Sequence, residues 1–269
     1  MAPTSQLGAR LIVGILLIVI ALAALFAGGF AFGALVAVAV LLMFAEWSQM
    51  FRFPRALRLA GLVALATSLM LAMLGQALIS ITVLAMAAAI IGLGARPYVQ
   101  SRATWAAIGL LYAGMPGIAL IWLRETRYGL ALTLLTLVTV WATDIFAYFV
   151  GRSIGGPKLA PSISPNKTWA GLAGGMAGSA LTIWVLLMLF DQHLEAPPLP
   201  ILWLVISAPF LALLAQGGDF FESGLKRRVG VKDSGTLLPG HGGILDRLDG
   251  LVPVAVFAAL GAAVLGFAR

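Results

Sequence analysis

The chain has 269 residues, of which 61% are hydrophobic and only 10% charged, whereas a soluble domain of ordinary composition carries roughly 25% charged residues. That balance excludes a water-soluble fold of this size, and its continuous apolar runs of about 20 residues match the ~30 Å hydrocarbon core of a bilayer. The formal charge of +7 fits loops that meet anionic lipid or a phosphorylated substrate, and nucleic acid is not an expected partner.

The runs do not alternate as barrel strands do, so the expected fold class is all-α, a polytopic transmembrane helix bundle. In chain order, candidate spans fall at about 11–27, 30–46, 58–75, 78–95, 104–123, 128–150, 170–190, 198–216 and 251–267, about nine in all. The first follows Arg10 and resembles a signal-peptide core. No small-residue cleavage site separates it from the next run, and a retained helix is expected. Glycine, proline and basic residues interrupt the runs, among them Gly28-Gly29, Arg96-Pro97 and Pro197-Pro198. Two intervals, 152–169 and 217–250, are longer than turns. The expected organisation is N-terminal transmembrane helices over 1–125 and a catalytic transmembrane region with cytoplasmic loops over 126–269. Trp47, Trp105, Trp122 and Trp169 fall near span ends, where an interfacial belt would explain them. Small residues over 171–179 predict close helix packing, with a subunit contact as one use of it.

With nine spans and a cytoplasmic N-terminus, only Arg124, Arg127 and Arg269 of the 17 Lys and Arg lie outside. This positive-inside bias places both long loops in the cytoplasm, where nucleotides are. The absence of cysteine rules out a disulfide framework, a thiolate metal site and a cysteine nucleophile.

Of the ten carboxylates, Asp144, Asp219, Glu222, Asp233, Asp246 and Asp249 lie at the end of the sixth span or in the last long loop. Charge is expensive in so apolar a protein, which makes the clustering informative. If the eighth span continues as a helix past Gly218, Asp219, Glu222, Ser223, Lys226 and Arg227 share one face, with acids at one end and cations at the other. Asp246 and Asp249, three apart, could present two carboxylates to one ion. Hard cations such as Mg2+ take oxygen ligands and keep substrate phosphate in their shell. The glycine-rich run from Leu238 to Gly243 would let backbone N–H groups approach phosphate. Ser164, Asn166 and Thr168 precede the seventh span and could cap it.

Residues 223–250 read SGLKRRVGVKDSGTLLPGHGGILDRLDG. This resembles the signature of the phosphatidate cytidylyltransferase (CDP-diacylglycerol synthase) family: S-x-x-K-R, then K-D, then P-G-H-G-G, then D-R-x-D. Asp144 with Ala147, Tyr148, Gly151 and Arg152, the run Ser164-Pro165-Asn166-Lys167-Thr168-Trp169, and the run from Gln216 to Ser223 are also similar to the family. Asn166 departs from the lysine that many members carry.

The resemblance implies cytidylyl transfer from CTP to phosphatidic acid at the cytoplasmic face of a bacterial inner membrane. It implies Asp219, Asp246 and Asp249 as ligands of Mg2+, with Asp144 available to a second cation. Lys167, Lys226, Arg227, Lys232 and Arg247 would hold triphosphate and lipid headgroup, with Asn166, Ser223, Gly242 and Gly243 beside them. His241 would hydrogen-bond a phosphate or the departing pyrophosphate. Members of the family are expected to be homodimers. A CTP-dependent lipid-alcohol kinase and an ether-lipid cytidylyltransferase stay open as alternatives. An ion-coupled transporter is more distant, because it would place charges near the midplane of several spans in two related halves.

Overall fold

The computed structural model describes residues 3–94, 100–190, 195, 197–235, 237 and 242–267. The elements in order are α1 (Pro3–Ala27), α2 (Gly29–Met50), α3 (Arg55–Met73), α4 (Ala77–Leu93), α5 (Gln100–Arg124), α6 (Gly129–Ile154), β1 (Lys158–Ala160), β2 (Ser164–Thr168), α7 (Trp169–Phe190), α8 (Ile201–Val229), α9 (Leu245–Leu248) and α10 (Leu251–Val264). Six of the described helices are long and apolar enough to cross a membrane: Gly29–Met50, Arg55–Met73, Ser101–Arg124, Gly129–Ile154, Trp169–Leu189 and Ile201–Val229. Three shorter apolar helices are Gly14–Ala27, Ala77–Leu93 and Leu251–Val264. Large side chains such as Phe30, Leu78, Leu93 and Leu202 are exposed, which a hydrocarbon solvent accommodates and water does not. The chain is a multi-pass, helical membrane protein.

Two expectations need correcting. The fold is not purely helical, because 158–168 forms a two-stranded antiparallel sheet that pairs Lys158 with Thr168 and Ala160 with Ser164. Gly155 and Gly156 leave α6 in left-handed conformations, φ 69° and 93°, and Pro157, Pro161 and Pro165 then prevent a helix from forming. Nor is 217–250 one loop, since α8 runs on to Val229. Lys226, Arg227 and Arg228 in its last turn favour the negative helix end, and Gly230 at φ 77° stops it.

The chain divides into two compact units, Met1–Glu125 with Val229–Leu248, and Thr126–Arg228 with Asp249–Arg269. In the first, α5 brings glycines against the large side chains of its neighbours. A Cβ at Gly114 would stand 2.7 Å from Leu84 and 2.9 Å from Leu65, and one at Gly117 would crowd Val40. Ser80 on α4 donates to the Ser68 carbonyl on α3 at 2.6 Å, which satisfies a buried hydroxyl. Trp47, expected near a span end, is packed inside the protein. It is 1% exposed, donates from Nε1 to the Trp105 carbonyl at 2.8 Å, and stacks on Tyr112 at 5.3 Å between centroids.

In the second unit, α7 lays its glycine stripe along α6. Gly171 faces the Ala147 carbonyl and Gly151, Gly175 faces Thr143, and Gly174 and Gly178 face Val150 and Phe146. The small residues over 171–179 are thus used within the chain. Leu135, Ile183, Leu187 and Ala208 form a core between α6, α7 and α8, and Val140, Ala215 and Val254 form another with α10. Thr168 caps α7, its Oγ1 accepting from the Gly171 N–H at 3.0 Å. Ser164 and Asn166 lie in β2 instead and do not cap the helix.

Candidate functional site

In the first unit, charge gathers around the end of α2 and the segment 233–247. Asp246 Oδ2 accepts from the Gly243 N–H at 2.8 Å and the Ser234 N–H at 3.0 Å, and Oδ1 accepts from Ser234 at 3.2 Å. Glu46, near the end of α2 and 1% exposed, accepts from the Ser234 hydroxyl at 3.0 Å, the Ile244 N–H at 3.0 Å and the Leu245 N–H at 2.9 Å. The glycines gain a packing reason here. Gly242 is left-handed at φ 81°, and a Cβ on it would stand 2.8 Å from Asp246 Oδ2. A Cβ on Gly243 would run into Ser234 Oγ and Glu46 Oε2. Lys232, Asp233 and Arg247 are exposed. His241 lies outside the described residues.

The second unit holds the other cluster. The helical face expected past Gly218 exists. Ser223 Oγ donates to Asp219 Oδ1 at 3.1 Å, and Lys226 Nζ lies 3.5 Å from Glu222 Oε1, both one turn apart. Lys167, from the end of β2, reaches Asp219 Oδ2 at 2.6 Å and sits over the Phe220 ring at 4.5 Å. Asp249, in the turn before α10, accepts from the Gly250 N–H at 2.7 Å. Burial holds its carboxyl above the ordinary carboxylate range. A hydrogen bond with Glu222 opposes that rise, and the negative charge of Asp219 adds to it. Asp144, on an exposed position of α6, receives a long 3.5 Å hydrogen bond from Gln216 Nε2. Because α6 continues to Ile154, Asp144 lies about ten residues, or ~15 Å, from the helix end. Asn166 and Arg227 are exposed.

Asp219, Lys167, Ser223, Glu222, Lys226 and Asp249 therefore stand together, and Asp246, Gly242 and Gly243 stand with Ser234 and Glu46. Sequence patterning did not single out Glu46 or Ser234. The signal for Glu46 was present, a lone carboxylate closing an apolar run, which is costly unless partnered. Nothing marked Ser234.

Hard oxygen donors are the right chemistry for a divalent cation, and a buried carboxyl with too little cationic compensation is a place for one. Among the described residues, however, no group of three or more His, Asp or Glu is drawn into a ready ligand set. Asp219 is engaged by Lys167 and Ser223, and Asp246 by backbone N–H groups.

The fold is that of a multi-pass membrane protein, and it carries carboxylates and cations in two clusters. The model of the cytidylyltransferase family matches residues 8–265. The chain belongs to that family. It is 40% identical to the phosphatidate cytidylyltransferase of Brucella melitensis biotype 1 over 262 residues, 93% of this chain and 91% of the relative. Proteins of the same name from two other bacteria give shorter alignments. Identity is 44% with Bacillus subtilis, over 56% of this chain and 54% of the relative, and 45% with Staphylococcus epidermidis, over 54% of each.

Proposed function

We propose that this protein transfers the cytidylyl group of CTP to phosphatidic acid, forming CDP-diacylglycerol and pyrophosphate for phospholipid synthesis. The observation that carries the reading is the match to a phosphatidate cytidylyltransferase over nine-tenths of the chain, together with the complete signature from Ser223 to Asp249. A phosphate oxygen of phosphatidate attacks the α-phosphorus of CTP, a new P–O bond forms, and the bond to the β-phosphate breaks. The attacking oxygen is already anionic, so no covalent protein nucleophile is required. What the protein must supply is position and charge neutralisation.

Lys167, Lys226, Arg227, Lys232 and Arg247 bind the triphosphate and the lipid headgroup, since ammonium and guanidinium groups match phosphate oxygens. Asn166, Ser223, Gly242 and Gly243 add hydrogen bonds, and His241 donates one to the departing pyrophosphate. Asp219, Asp246 and Asp249 are the carboxylates that would hold Mg2+, with Asp144 for a second cation. When bound, the ion would offset negative charge between the two phosphorylated substrates. Lys167, now paired with Asp219 at 2.6 Å, would bind substrate phosphate, and Asp219 would then be available to hold the ion.

The active face is cytoplasmic, as the distribution of Lys and Arg supports. The three shorter apolar helices complete nine spans of an inner-membrane protein. A homodimer belongs to the same reading, although the α7 glycine stripe no longer argues for it.

The test is transfer from CTP labelled at either the α- or the γ-phosphorus, using detergent-purified protein and phosphatidic acid. Cytidylyl transfer moves α-label into lipid, requires Mg2+ and stops with EDTA. Movement of γ-label instead would mean a kinase and overturn the assignment. No product with diacyl lipids but product with a prenyl ether lipid would redirect it to the ether-lipid substrate.

A further inference from the structure

We infer that Glu46 is a positioning residue for the transfer reaction, acting through the signature segment to set the Asp246 carboxylate. The inference rests on the proposed reaction, but its geometry does not. Glu46 lies on α2, outside the signature segment 223–250 and the motif runs around Asp144, Lys167 and Asp219, and it is almost completely buried. A carboxylate in such surroundings costs several kcal/mol unless its oxygens are satisfied. Glu46 meets that need from the signature segment. Oε1 accepts from the Ile244 N–H, and Oε2 accepts from the Leu245 N–H and the Ser234 hydroxyl. One side chain thus ties Ser234, before the glycine-rich run, and Ile244 and Leu245, after it, to α2.

The residues so tied are those that hold Asp246. Ser234 gives its hydroxyl to Glu46 and its N–H to Asp246. Gly243, whose N–H also goes to Asp246, packs directly against Glu46 with no room for a Cβ. Two carboxylates therefore share one short stretch of backbone, the inner one anchoring it and the outer one held by it. Loss of the inner acceptors strands two N–H groups and a hydroxyl, and the segment must shift to find others. Glu46 itself touches no reacting atom. It fixes the place of a residue that does.

Glu46→Gln keeps the volume of the side chain and turns one acceptor oxygen into a donor facing donors. The expected result is a fall in kcat of at least tenfold, with KM for phosphatidic acid within threefold of the unsubstituted protein. Glu46→Asp, which keeps the carboxylate, recovers most of that loss. Hydrogen exchange in Glu46→Gln rises in peptides covering 233–248 and not in α6 or α7. Glu195→Gln, an exposed site remote in sequence from the signature, changes neither readout. A kcat within twofold of the unsubstituted protein would overturn the inference, as would faster exchange throughout the helices, which would mark Glu46 as a general stability residue. If the unsubstituted protein makes no CDP-diacylglycerol, the reaction assignment fails, and exchange confined to 233–248 still decides whether Glu46 holds the segment.

Discussion

Lys167 carries the most interpretable pair contact in the second unit, 2.6 Å from Asp219 and only 18% exposed. Its ammonium is compact and sits over the Phe220 ring, an arrangement that a bulkier guanidinium would have to rebuild. Lys167→Met leaves Asp219 without its cation and, in the proposed reaction, would leave substrate phosphate without one donor. The expected outcome is a loss of at least a hundredfold in kcat/KM for CTP, or roughly 3 kcal/mol of transition-state stabilisation. Lys167→Arg should lose less, because charge survives where geometry does not. Initial rates at limiting CTP measure both, and equal losses in the two variants would show that shape rather than charge is what matters there.

At the scale of elements, the packing of α7 on α6 depends on missing side chains. Gly178 leaves space that the Phe146 ring fills, and a Cβ would collide with it. Gly178→Ala is expected to destabilise the protein by about 1–3 kcal/mol through overpacking. Gly261 in α10 has no neighbour within 4 Å of where a Cβ would stand. Gly261→Ala should be neutral or stabilising by roughly 0.5–1 kcal/mol, since alanine suits a helix interior better. Thermal unfolding in detergent, with the two variants compared side by side, gives the signs. A Gly178→Ala protein as stable as its parent would mean that α6 and α7 can separate without penalty.

For the whole molecule the issue is orientation. Lys158 and Glu195 flank α7, one of the six helices long enough to cross, so they belong on opposite sides whatever the total number of spans. Both are exposed, and the chain has no cysteine of its own. Single Lys158→Cys and Glu195→Cys proteins can therefore be labelled cleanly. A membrane-impermeant maleimide applied to intact spheroplasts should modify Cys only in the Glu195 variant, and the Lys158 variant only after permeabilisation. The reverse pattern would put the β1–β2 hairpin outside, away from cytoplasmic CTP, and would remove Lys167 from the proposed reaction.

Several features of the molecule are legible in its sequence. Composition alone requires a lipid solvent, and the signature marks the chemistry. Spacing on α8 predicts that Ser223 meets Asp219 and Lys226 meets Glu222, because residues four apart are neighbours on any helix. The reach of Lys167 to Asp219, the close fit of Gly243, and the burial of Glu46 beneath residues 198 and 199 positions away were decided by tertiary structure. Helical periodicity encodes contacts within a turn or two and nothing beyond. Across nearly two hundred residues, only the packing of helices determines which backbone N–H groups a buried carboxylate will find.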